Sequence, residues 1–131
     1  DQKHDEKDVD KAVAFLVTDE QERVLLTSMV SCLFARGVYK PDLMGECLNT
    51  LGHATLADNM EASSSQIQKK RWQIRLATGF KPDQVRIPKR FLNVTTWKGE
   101  TDPQYLDTLM SAYARAIEKL AQSDSGEDKE A

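Results

Sequence analysis

The side chains of this sequence best suited to holding a soft metal are its two cysteines, Cys32 and Cys47. Cys32 stands in residues 27–36, TSMVSCLFAR, a mostly apolar stretch of helical character. On a helical wheel it lies beside Leu25, Met29 and Arg36, at the flank of an apolar face marked by Leu26, Val30 and Leu33. That place suits a half-buried free thiol, because unpaired cysteine commonly behaves as a small hydrophobe. It also suits a ligand to a metal centre whose other ligands lie outside this chain. Cys47 falls within its own apolar stripe, where structural packing is expected. A metal site made wholly by this chain needs more donors near Cys32. His4, in a polar lead, and His53, just after a helix-ending glycine, are poor candidates.

A second kind of chemistry is cationic. Residues 68–75, QKKRWQIR, set Lys69, Lys70, Arg71 and Arg75 around Trp72, the composition of a groove that stacks and neutralises a nucleic acid. The same residues form the solvated face of an amphipathic helix, with Trp72 at its edge, and no nucleic-acid partner is expected. Arg86, Lys89 and Arg90 flank Ile87 and Pro88 and suit loop ion pairs or a partner's carboxylates. There is no Ser-His-Asp order, Gly-rich phosphate loop or HExxH, so the chain carries no complete active site of its own.

The elements that position these residues read as helices. Val9, Val13 and Leu16 fall at helical spacing and suggest a short first helix or the opening turns of a longer one, and Thr18 with Gln21 fits a capping box that would restart it. From there Leu26, Met29, Val30, Leu33 and Phe34 hold one face as far as Gly37. Pro41 opens the next helix, with Leu43, Met44, Cys47, Leu48 and Leu51 as its stripe and Gly52 as its stop. A helix over residues 61–78 places Ile67, Ile74 and Ala77 on one side, ending at Gly79. Residues 80–101 contain Pro82, Pro88 and Gly99 and form an ordered connector, in which Phe80, Ile87, Phe91, Leu92 and Trp97 clamp across helices. Asp102 caps and Pro103 begins the last helix, whose seam runs from Tyr105 and Leu106 to Ile117 and Leu120. The fold expected is all-α, an irregular bundle of about four to five helices with an ordered Pro-containing connector.

Length and composition bound the function. The 131 residues fit one domain: a polar lead at 1–8, a helical body at 9–122 and a disordered acidic tail at 123–131. A net charge of -3 gives no general attraction to nucleic acid or anionic membrane. No apolar run approaches a membrane span, and two cysteines with no disulfide framework fit a reducing, cytoplasmic setting without a membrane partner. Residue 1 is not Met, and the charged opening suggests a segment of something longer.

Several stretches together resemble one family. TSMVSCLFAR is similar to the cysteine motif of the tungsten-containing aldehyde:ferredoxin oxidoreductases, Asp-x-x-Gly-Leu-Cys followed by an apolar residue and often Phe. Residues 39–52, YKPDLMGECLNTLG, resemble the family's Pro-Asp-Leu-Leu helix. Gly79-Phe80 followed by residues 86–91, RIPKRF, resembles its Gly-Phe segment and Leu-Pro-x-Arg-Phe turn. Order and approximate spacing agree from about Val9 to Leu120, most of the chain.

The resemblance implies the C-terminal helical domain of an enzyme that holds a tungsten or molybdenum bis-pterin and an iron–sulfur cluster, and oxidises aldehydes with electron transfer to ferredoxin. Cys32 matches the family's distal cluster-ligating cysteine. Thr27, Ser31 and Leu33 match the cofactor-contacting positions around it. The other cluster cysteines belong to an earlier domain, so the chain alone is expected to bind neither group and to act with the remaining domains of the parent enzyme. The chain departs from the pattern where Thr27 stands for Asp, Val30 for Gly and Ser31 for Leu, and where residues 71–77, RWQIRLA, replace the ERLFN-like part of the family's third helix. A carboxylate accepts two hydrogen bonds from a pterin's amino and ring N–H groups, and a hydroxyl does not reproduce the pair. Without the resemblance, the residues suit a non-catalytic helical interaction domain gripping a partner through Trp72, Trp97 and the basic groups around Pro88, or a nucleic-acid adaptor.

Overall fold

A computed structural model describes residues 8–96 and 99–122. Among these, six α-helices account for most of the chain: α1 (Val9–Ser28), α2 (Pro41–Thr50), α3 (Ala54–Asp58), α4 (Met60–Ala77), α5 (Lys89–Leu92) and α6 (Pro103–Gln122). Four are long and two are single turns. The all-α class expected from the sequence is the class observed. A two-residue antiparallel ladder, β1 (Thr95–Thr96) with β2 (Gly99–Glu100), is the described sheet. No described helix is long and apolar enough to cross a membrane. The polar lead before residue 8, the acidic tail, His4 and Trp97 lie outside the described residues.

The chain divides into two compact units, Asp1–Leu16 with Trp72–Ala131 and, separately, Val17–Arg71. The Trp72-containing unit is organised around Trp72, Ile117 and Ala121, with Leu76, Phe80, Tyr113 and Leu120 packed on them. Asp102 starts α6 as the sequence leads one to expect. Its Oδ1 accepts the backbone N–H groups of Gln104 at 3.0 Å and Tyr105 at 3.3 Å, two donors a helix start leaves unpaired. Within α6 the innermost side of the seam is Ala114, Ile117 and Ala121. The guanidinium of Arg75 lies 4.6 Å from the Trp72 ring centre and 4.4 Å from that of Phe80. This cation over two aromatic faces shields their edge from water.

The Val17–Arg71 unit is built on Leu25, Leu26, Met44, Leu48 and Met60, with Met29 and Ala57 against them. Polar groups reinforce it. The Gln68 side chain is 1% exposed, and its amide donates to the Val17 carbonyl at 3.0 Å and to Glu20 Oε2 at 3.1 Å. Gln21 donates to Ser64 Oγ and to the Glu61 carbonyl, each at 3.2 Å, while the Ser64 hydroxyl donates to the Glu61 carbonyl at 2.9 Å.

Three expectations are corrected here. Val9, Val13 and Leu16 are the opening turns of a longer helix, and Thr18 does not restart one but lies inside α1, which runs unbroken because residues 9–28 contain neither Gly nor Pro and an internal end would leave backbone groups unpaired. The buried residues of α4 are Met60, Ser64, Gln68 and Trp72, not Ile67 and Ile74, which are exposed; Trp72 is a core residue at 6% exposure, not an edge. Hydrogen bonding lets Ser64 and Gln68 occupy the inner face where an apolar count looks elsewhere. Cys47 is exposed, while the inner positions of α2 are Met44 and Leu48, four apart.

Candidate functional site

The α1 helix ends earlier than its apolar pattern suggests, and the way it ends shapes the loop around Cys32. The Ser31 N–H donates to the Leu26 carbonyl at 2.9 Å and the Val30 N–H to the Thr27 carbonyl at 3.2 Å. These paired bonds close the helix with its next residue in the left-handed region, and here that residue is Val30, at φ 55°. The same closure follows α2 at Gly52 and α4 at Gly79. Glycine adopts that conformation freely, whereas a β-branched residue there costs roughly 1–2 kcal/mol. Nothing in the residue types explains a valine at this turn.

Beyond it, Cys32 is extended (φ −70°, ψ 119°) and precedes a 3₁₀ turn, Leu33–Ala35. The loop is stitched by its own backbone: Ala35 N–H to the Cys32 carbonyl at 3.0 Å, Val38 N–H to the Ala35 carbonyl at 2.8 Å, and Tyr39 N–H to the same carbonyl at 3.0 Å. Arg36 adds a guanidinium bond to the Leu33 carbonyl at 3.2 Å. The side chains point elsewhere. Val30 is 94% exposed, Phe34 97%, and Val38 is also largely exposed. At one end Met29 is seated on the core, so the loop is anchored and its apolar groups face outward.

Each sequence-nominated residue has a definite place. The Cys32 thiol is exposed. Ser31 is half-buried and Leu33 borders on exposure at the 3₁₀ turn. Thr27 lies in the last turn of α1, where its hydroxyl donates back to the Arg23 carbonyl at 2.9 Å and the Val24 carbonyl at 3.0 Å. Its proton is thereby committed to its own helix, leaving only oxygen lone pairs toward a ligand. Among the described residues no three His, Cys, Asp or Glu side chains gather where they would hold one metal ion. Cys32 is thus a single exposed thiol, and Thr27 does not reproduce the two-bond carboxylate contact of the motif it resembles.

Trp72 and three of the cationic candidates, Arg75, Arg86 and Arg90, are otherwise engaged. Trp72 is buried in the core of its unit and Arg75 lies over it, so neither forms an open stacking platform. Arg86 donates to the Asp83 and Val85 carbonyls and stitches its own loop. Arg90 lies 5.4 Å from the Phe91 ring centre.

Sequence reasoning passed over a concavity in the Val17–Arg71 unit. It encloses about 560 Å³ and is lined from α1, α2, α3 and α4, with five carboxylates among its lining residues. Those acids are scattered along 40 residues of sequence, and only the fold assembles them. A partial signal was present in Thr18, Gln21, Glu22 and Leu25, which share one side of α1.

No family model, curated protein or solved structure matches this chain.

Proposed function

We propose that this chain is a helical domain of an aldehyde:ferredoxin oxidoreductase-like enzyme, closing its pterin and metal chamber and donating the Cys32 thiolate to an iron–sulfur cluster completed by the rest of the parent protein. The observation that carries this reading is the exposed Cys32 thiol set between exposed Val30 and Phe34 on a backbone-stitched loop. An iron–sulfur cluster, when bound, supplies one-electron transfer toward ferredoxin. What this chain contributes is a thiol on a backbone-stitched loop and the exposed apolar residues on either side of it in the chain. Covered by a neighbouring domain, Val30, Phe34 and Val38 would exclude water around the sulfur, and such burial tunes a cluster's potential. Leu33 supplies the apolar residue that follows the cysteine in the family pattern, whereas Ser31 stands where that pattern has Leu and Thr27, with its hydroxyl turned back on α1, does not reproduce the carboxylate's pterin contact.

The exposed apolar loop also favours a second reading, a non-catalytic interaction domain that docks a protein through residues 30–38 with no metal involved. Iron separates the two. In the native full-length protein, Cys32→Ala is expected to lose iron and the visible absorption of the cluster, while Cys47→Ala, an exposed thiol on α2, keeps both. Unchanged iron in Cys32→Ala rejects the ligand role and leaves the docking reading.

A further inference from the structure

The concavity of the Val17–Arg71 unit is a site of its own, independent of the Cys32 loop. Its floor is apolar: Leu25 and Met60 are core residues, and Ala57 is packed against them. Gly45 lines it without a side chain, and a Cβ there would already stand 3.4 Å from Met60 Cε, so any larger residue would grow into the space. Gln21, bonded to Ser64 and the Glu61 carbonyl, fixes one wall. The rim carries Glu22, Asp42, Glu46, Asp58 and Glu61, and among the described residues no Lys, Arg or His lines the cavity.

Five like charges around a low-dielectric floor concentrate negative potential in the opening, more than the net charge of -3 gives the surface at large. No described trio of carboxylates converges closely enough to hold one ion; the acids are spread over α1, α2, α3 and α4 instead. A single divalent cation would satisfy neither the spread of charge nor the apolar base. A segment offering both aliphatic and cationic side chains satisfies both. The volume, about 560 Å³, lies within the usual range of ligand pockets, roughly 300–1,000 Å³.

We infer that this groove docks a basic amphipathic helix of a partner protein, with an aliphatic side chain on the floor formed by Leu25, Ala57 and Met60 and with Lys or Arg side chains on the carboxylate rim. The charge complementarity selects the partner, and the floor beside Gly45 orients it.

The test titrates the isotope-labelled full chain with a blocked peptide of Leu and Lys at helical spacing, with its Leu/Glu counterpart, and with spermine, following amide shifts. The Leu/Lys peptide is expected to move the amides of Gly45, Asn49 and Ala57 most. The Leu/Glu peptide is expected to leave them in place. Glu46→Lys combined with Glu61→Lys should weaken binding about tenfold or more, whereas Glu118→Lys, on α6, should change it less than about twofold. Gly45→Leu, with its fold checked by circular dichroism, should abolish binding with every carboxylate intact. The proposal is overturned if the Leu/Lys peptide does not bind, or if the rim and α6 reversals weaken it equally, which would mean net charge alone. It is equally overturned if spermine binds as tightly with the same shifts, since the floor would then play no part.

Discussion

The Trp72 core and the loop at residues 30–38 place the same residue types in opposite settings. Around Trp72, aromatic and aliphatic groups close on one another: Phe80 stands 6.1 Å away ring to ring, Ile117 is fully enclosed, and Arg75 lies over the faces of both rings. In the loop, Val30 and Phe34 face outward from a backbone that its own hydrogen bonds hold in place. The helix-closing turns repeat the contrast, glycine serving after α2 and α4 and a strained valine after α1. The magnitudes say what this means. Fully covering a Val or Phe side chain gains about 1.5–3 kcal/mol, so covering both would exceed the roughly 1–2 kcal/mol that a left-handed valine costs. The first region is finished by the chain itself; the second leaves its apolar groups facing outward, which is the surface the proposed neighbouring domain would cover.

The largest test of that contrast exchanges one aromatic in each region. Trp72→Ala is expected to cost about 3–5 kcal/mol in urea unfolding, whereas Phe34→Ala should stay within about 0.5 kcal/mol. Comparable losses would mean that the loop is packed by its own chain after all. Next comes the buried amide that substitutes for apolar packing in the other unit. Gln68→Leu leaves the Val17 carbonyl and the Glu20 carboxylate without that donor and should destabilise by about 1–3 kcal/mol in the same assay. A neutral outcome would show that leucine packs there as well as glutamine bonds.

Smaller effects of opposite sign are expected at the helix ends. Gly79→Ala forces a Cβ onto a φ of 92° and should lose about 1 kcal/mol, while Val30→Gly relieves the strain after α1 and should gain about as much. Both are read from thermal unfolding midpoints, and the same sign at both sites would remove the contrast between the turns.

The smallest effect is at the start of α1. The backbone N–H of Lys11 bonds Asp8 Oδ1 at 3.1 Å and, with the Lys11 ammonium 3.4 Å from Oδ2, holds the carboxyl below its ordinary value of 3.8. Because the folded value lies below the unfolded one, this cap contributes fully above pH 3.8 and is lost as pH falls through the lowered folded value. Amide exchange at Lys11 should therefore quicken with acid, relative to exchange at a helix interior, and Asp8→Asn should remove that added pH dependence.

What could be read from the sequence followed the strength of the local signals. Gly52, Gly79, Asp102 and Pro103 marked helix ends correctly because each is a residue whose backbone or side chain does one thing well at such a place. The end of α1 was illegible, since valine belongs at no left-handed turn by its own preference. The inner face of α4 was missed because its burial rests on Ser64, which accepts from Gln21, and Gln68, which donates to Val17, partners more than 40 positions away. For the candidate site, the position of Cys32 in the chain was readable, but its exposure was not: that follows from where α1 stops. The carboxylate-rimmed cavity was less legible still, being assembled from four helices.

The most direct test of Cys32 as a ligand is its alkylation rate in the native full-length protein, measured by mass spectrometry as isolated and again after chelation of iron under reducing conditions. Cys47 serves as the internal standard. The account expects Cys32 to be protected while iron is bound and to react at a rate close to that of Cys47 once iron is removed. Equal reactivity of Cys32 before and after removal would contradict it.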